Sequence, residues 1–143
     1  MRVVLDTNIL IGAPITRDTP PDRLYRAWLR GEFELLTSKA QLAEIADVVA
    51  RPRLQRFIDV DEAAAIIANI GARALVLEAP PSVDLSPDPD DNPILAAAIA
   101  GEADLIVSGD KKHMLSLDMV EGIPVVTARA ALGHPGLQID REN

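Results

Sequence analysis

Three aspartates stand where a chain of this kind would bring acids together. Asp6 closes the opening run R-V-V-L-D, Asp110 closes L-I-V-S-G-D, and Asp91 precedes the segment N-P-I-L-A-A-A. Asp88 lies three residues before Asp91, in P-D-P-D-D. The chain has no cysteine, no pair of histidines at metal-like spacing and no G-x-x-x-x-G-K phosphate loop. An oxygen-only set of donors suits a hard divalent cation, Mg²⁺ or Mn²⁺. Each acid also has a plainer use. Asp91 and Asp110 precede expected helices, where aspartate is a favoured cap, and Asp6 fits an Asx-turn. As a group they argue for more. Carboxylates about 4 Å apart repel by about 4 kcal/mol per pair at an effective dielectric near 20, so a fold that gathers them needs a cation or a proton to offset that.

The elements that would position these acids alternate. Arg2 to Asp6 is short, apolar and β-branched on both pleat faces, as in a buried parallel strand, and Phe33 to Thr37, Ala74 to Leu77, Asp104 to Ser108 and Pro124 to Thr127 are further short strand candidates. Helices are expected from Pro20-Pro21 to about Gly31, with Leu24, Ala27 and Trp28 inward. Ser38 and Gln41 form a capping-box pattern at the head of a helix carrying Leu42, Ile45, Ala46 and Val49, which Pro52 ends. Further helices are expected over 54–58, over 62–72 behind Asp61, over 94–101, and briefly after Asp110. The expected architecture is a three-layer α/β/α sandwich around a central parallel sheet of four to five strands. In such sheets ligands bind outside the carboxyl ends of the strands, where Asp6 and Asp110 fall.

The length of 143 residues fits one domain over 1–143, with its core over about 2–132 and a tail over about 133–143. No apolar run approaches the roughly 20 residues of a spanning helix, and Asp6 interrupts the only signal-like start. With no cysteine as well, the expected setting is a reducing cytoplasm. Four aromatic residues leave little for base-stacking platforms. The formal charge is −8, but unevenly spread: residues 1–75 carry ten Lys/Arg and ten Asp/Glu, whereas 76–143 carry four against twelve. A uniformly acidic protein would repel nucleic acid; one with an acidic half can still offer a basic face or bridge to phosphate through cations.

The ordered set of motifs V-V-L-D-T-N-I-L, S-K-A-Q-L-A-E-I, R-P-R, D-P-D-D-N-P-I-L-A-A-A and A-D-L-I-V-S-G-D resembles the PIN-domain family, in its VapC-type toxin ribonuclease branch. The resemblance runs from Val3 to about Leu132. It implies four metal-binding, catalytic acids at Asp6, Glu44, Asp91 and Asp110, with Asp88 as an additional acid and Asn8 and Ser108 as supporting polar residues. Helical phase alone makes Glu44 a solvated residue, off the Leu42–Ile45–Val49 line. The implied activity is endonucleolytic hydrolysis of RNA with Mg²⁺ or Mn²⁺. The implied partners are an RNA substrate, an antitoxin protein and a second copy of the chain. The alanine-rich segment Glu62 to Ala72 is more apolar than a monomer needs.

Many relatives carry a further acid shortly after the last aspartate, where this chain has Lys111-Lys112-His113. That departure bears on whether one metal is held or two, and Lys111 and Lys112 are either phosphate contacts or a solvated helix end. Arg23, Arg26 and Arg30 form one helical stripe, and Arg51, Arg53 and Arg56 cluster after the second helix. Either group is a candidate for tracking a phosphate backbone, against a reading as solvated surface. His113 and His134 read as surface residues. Two other functions fit less well. A phosphatase of the aspartyl-nucleophile type needs D-x-D, and Asn8 occupies the third position. A non-catalytic PIN scaffold would have no need of all four acids.

Overall fold

The structure, a computed structural model, describes residues 1–137. Most of the segment 133–143, expected as a tail, therefore lies outside the described residues. The strands are β1 (Arg2–Leu5), β2 (Glu34–Ser38), β3 (Leu75–Leu77), β4 (Leu105–Val107), β5 (Met119–Val120) and β6 (Ile123–Val126). They form one sheet in the order β3-β2-β1-β4-β6-β5. All neighbours are parallel except β5 and β6, a two-residue hairpin pair that extends the expected parallel sheet by an antiparallel edge. Two residues of strand give too little alternation to read in a sequence.

The helices are α1 (Thr7–Ile15), α2 (Pro20–Leu29), α3 (Lys39–Val49), α4 (Val60–Arg73), α5 (Asn92–Ala100) and α6 (Ala128–Leu132). Among the described residues none is long and apolar enough to cross a membrane. The pleat divides the core in two. Val3, Leu5, Leu35, Leu105 and Val107 face a cluster built with α1, α2, α3, α4 and α6. Val4, Leu36 and Ile106 face a second cluster containing Ile94, Leu95 and Ala98 of α5 and Met114. This is the three-layer sandwich. The chain lays β1, β2 and β3 outward in sequence, then returns past β1 to place β4 on its other side. With right-handed crossovers, reversing the direction of strand progression puts the connecting helix on the opposite face, which is where α5 packs.

Several local expectations shift. The run after Asp6 is α1, packed against both α2 and α3 with five of its nine residues buried, and it shows no amphipathic period. Residues 51–58 form turns rather than a helix. The N-cap of α4 is Asp59, two residues before the expected Asp61. Ala46, expected inward, is exposed. At the end of α5, a Cβ on Gly101 would lie 2.3 Å from a Leu36 methyl, so only glycine lets α5 close onto β2.

Candidate metal centre

β1 and β4 are adjacent and paired Leu5 to Val107, so their carboxyl ends lie side by side at the point where strand order reverses. Asp6 follows β1 and caps α1, its Oδ1 accepting from the Thr7 N–H at 2.7 Å. Ser108 follows β4. Its wholly buried hydroxyl donates to Asp6 Oδ2 at 2.7 Å and accepts the Asp110 N–H at 3.0 Å. One serine thus ties the two strand-end aspartates together.

Asp91 enters from a different direction. The loop before α5 makes a single 3-10 turn over Pro89–Asp91, capped by Asp88. Ser86 Oγ donates to Asp91 Oδ2 at 2.9 Å. Asp91 is 8% exposed, yet its Oδ1 receives no hydrogen bond from any described residue. Among the described residues no fully enclosed side-chain oxygen is left unpartnered, so that atom is not sealed off, and Asp91 lines a cavity shared with the other acids. That oxygen is left available to a cation.

Glu44 comes from α3. Its Oε1 accepts the hydroxyl of the buried Thr7. Gln41 and Ile45 form the inward face of this helix, and Gln41 Nε2 donates to the Leu5 carbonyl at 2.7 Å. Glu44 and Val48 form the neighbouring stripe, at i and i+4, and line the cavity together with Arg51 from the turn that follows the helix. Glu44 is therefore not the solvated residue its phase suggests. Polar Gln41 hides the inward face from any count of apolar residues.

Asp6, Glu44, Asp88, Asp91 and Asp110 all line one cavity of about 460 Å³, joined by Asn8, Asp90, Arg51 and Arg53. Ile11, Ile15, Val48 and Leu54 provide its apolar wall. The α2 arginines Arg23, Arg26 and Arg30 are not among its lining residues. Arg26 pairs with Asp22 at 2.5 Å in a separate groove, and Arg30 pairs with Glu32 at 2.6 Å. Of the basic groups considered, Arg51 and Arg53 are the ones brought to the acids, and Arg51 also meets Asp47 at 3.2 Å. Lys111 and Lys112 are exposed beside Asp110.

His113 corrects the reading as a simple surface residue. It is half-buried, and its Nδ1 lies 3.2 Å from Asp110 Oδ2. One donor atom each from Asp88, Asp91 and His113 lie within 4.8 Å of one another, a spacing that fits a shared ion. Thr7 and Ser86, which position Glu44 and Asp91, also went unseen in sequence, where an isolated hydroxyl carries no signal.

A family model for the PIN domain matches residues 2–112. The chain belongs to the PIN-domain family. Among curated proteins, none matches it. PIN domains are typically metal-dependent nucleases, and the acids that converge in this PIN domain fit a divalent cation: several carboxylates, one of them buried with an unmet oxygen.

The electrostatics agree with that fit. Burial raises Asp6 above the ordinary 3.8, against the hydrogen bonds from Ser108 and Thr7 and with the help of Glu44 and Asp110. Burial likewise raises Asp91, assisted by Asp6, Asp88 and Asp110 and opposed by Ser86. Asp110 goes the other way. Burial pushes it up, but the N–H groups of His113 and Lys112 and the His113 ring together bring it below 3.8.

A raised folded pKa means that the native state binds more protons than the unfolded state between 3.8 and the folded value. In the metal-free protein, Asp6 and Asp91 therefore add stability as pH falls through that window. Asp110 withdraws stability once pH falls below 3.8 toward its lowered value. Thermal melts in EDTA should show a shallower acid loss in wild type than in Asp6→Asn between neutrality and pH 3.8. Parallel curves would remove the burial effect at Asp6.

Proposed function

We propose that this PIN domain is an endoribonuclease that uses Mg²⁺ or Mn²⁺, held by Asp6, Glu44, Asp91 and Asp110 with Asp88 alongside. The observation that carries the reading is the convergence of these carboxylates, from separate segments of the chain, on one cavity bordered by Arg51 and Arg53. When bound, the ion supplies charge neutralisation at a scissile phosphate and lowers the pKa of an attacking water. The chain's own residues do the rest. Ser108 holds Asp6 and Asp110 at a fixed separation, Thr7 orients Glu44, and Ser86 occupies one oxygen of Asp91 so that the other faces the cavity. Asn8 offers a further polar group to the cavity. Arg51 and Arg53 are the phosphate-binding groups nearest the acids, with Lys111 and Lys112 on the Asp110 side. Arg26 and Arg30 pair with Asp22 and Glu32 instead.

The motif set further supports a role as the cytoplasmic toxin of a toxin–antitoxin pair, inhibited by an antitoxin protein. A small DNA-binding protein encoded in the adjacent reading frame is the matching observation. The exposed alanines of α4, Ala64, Ala65, Ala68 and Ala72, support a homodimer through that face.

The test is incubation of the purified chain with single-stranded RNA under millimolar Mg²⁺ or Mn²⁺. The expected result is internal cleavage leaving 5′-phosphate and 3′-hydroxyl ends, abolished by EDTA. RNA binding without cleavage in either ion would favour a silent scaffold. Hydrolysis of p-nitrophenyl phosphate with intact RNA would favour a phosphatase.

A further inference from the structure

The geometry points to His113 as a nitrogen ligand in a site with Asp88 and Asp91 that takes a divalent transition-metal ion in preference to Mg²⁺. The inference rests on the metal-centre reading and adds to it which ion this position selects. Three features of the structure carry it.

The first is distance: the donor atoms of Asp88, Asp91 and His113 lie within 4.8 Å of one another. Ligands about 2.0–2.2 Å from a common ion can lie no more than about 4.4 Å apart, so a small adjustment of these side chains closes the set. The second is the unmet oxygen of Asp91, on a side chain more than nine-tenths buried and open to the cavity.

The third is the second nitrogen of the imidazole. His113 Nδ1 lies 3.2 Å from Asp110 Oδ2. An imidazole that donates its Nδ1 proton to a carboxylate keeps its lone pair on Nε2, the arrangement in which metal-bound histidines are commonly held. The ring is also fixed in place. Met114, the next residue, is wholly buried in the core, and the Leu115 N–H bonds the Asp110 carbonyl at 2.8 Å, closing the turn that returns His113 to the acids.

Nitrogen changes which ion wins. Mg²⁺ takes oxygen ligands and sheds water reluctantly, whereas imidazole favours first-row transition ions, with affinity rising from Mn²⁺ to Co²⁺.

The experiment uses the full chain without a histidine tag. Mg²⁺, Mn²⁺ and Co²⁺ are titrated calorimetrically into wild type, His113→Asn and Asp91→Asn. Asparagine keeps a donor for Asp110 and removes the Nε2 position. Electron spin-echo spectroscopy of the Mn²⁺-loaded proteins reads nitrogen coupling directly.

The expected order in wild type is Co²⁺ tighter than Mn²⁺ tighter than Mg²⁺. His113→Asn should weaken Co²⁺ and Mn²⁺ about tenfold or more, leave Mg²⁺ within about twofold, and abolish the ¹⁴N modulation. Equal weakening of all three ions, or a Mn²⁺ spectrum without nitrogen coupling in wild type, would overturn the inference and leave His113 as a brace for Asp110. Binding lost in Asp91→Asn but unchanged in His113→Asn would also overturn it while leaving the carboxylate centre standing. No binding of any ion to wild type would overturn both readings.

Discussion

Asp6→Asn and Asp91→Asn are expected to lower metal-dependent RNA cleavage by about 10³-fold or more, about 4 kcal/mol at 1.36 kcal/mol per decade. Both should leave the metal-free fold as stable as wild type or slightly more so. The two effects come from the same atoms. Each aspartate is buried, and burial already opposes its charge. Asparagine removes the charge but keeps the shape, and it caps a helix about as well as aspartate. At Asp6 the amide oxygen can still accept from Thr7 N–H, and the amide nitrogen can donate to Ser108 Oγ. Relief of repulsion in the empty cluster contributes roughly 1 kcal/mol per pair once screening is included.

Asp110→Asn should be equally inactive yet less stable. Asp110 accepts N–H groups from Lys112 and His113 and meets the His113 ring, so the fold favours its charged form. Single-turnover cleavage and urea titrations in EDTA separate these outcomes. Full activity in either Asp6→Asn or Asp91→Asn would detach that residue from the chemistry. An unfolded variant would show that the fold needs the charge of that acid, since asparagine keeps the cap.

The second large effect is at Glu44. Glu44→Gln should lose about 10²–10³-fold in cleavage with little change in stability, because the carboxylate lines the cavity and is only partly buried. Thr7→Val should cost less, about tenfold, since it removes only the hydroxyl that orients Glu44. Both rates are read on one RNA at saturating Mn²⁺, with melts in EDTA as the control for folding. Normal cleavage by Glu44→Gln alongside inactive aspartate variants would make Glu44 a residue that shapes the cavity without serving the reaction.

How far the sequence alone reaches differs from residue to residue. Asp6, Asp91 and Asp110 are legible because each adjoins a signal carried by a few neighbouring residues: an apolar β-branched run, or an N-P opening a helix. Their position relative to strand ends follows from the rules of parallel sheets, and the sandwich follows from the alternation of elements. Glu44 is legible only through the ordered motif set. Its helix turns inward on Gln41 as well as Ile45, and a buried glutamine that bonds the Leu5 carbonyl leaves no trace in apolar periodicity. α1 and the β5–β6 hairpin escape for different reasons: one is apolar without a polar stripe, the other is too short to alternate.

The remaining decisions belong to the tertiary structure. Arg26 has Asp22 one helical turn before it and pairs with it locally, but nothing local places Arg53, which the turn after α3 delivers to the cavity. Asp110, three residues before it, holds the His113 ring locally, but its approach to Asp88 and Asp91, more than twenty residues away in the chain, is a tertiary contact. Secondary structure is encoded largely in short-range patterns of size, branching and polarity. Which side chains finally meet depends on long-range packing of the elements that carry them.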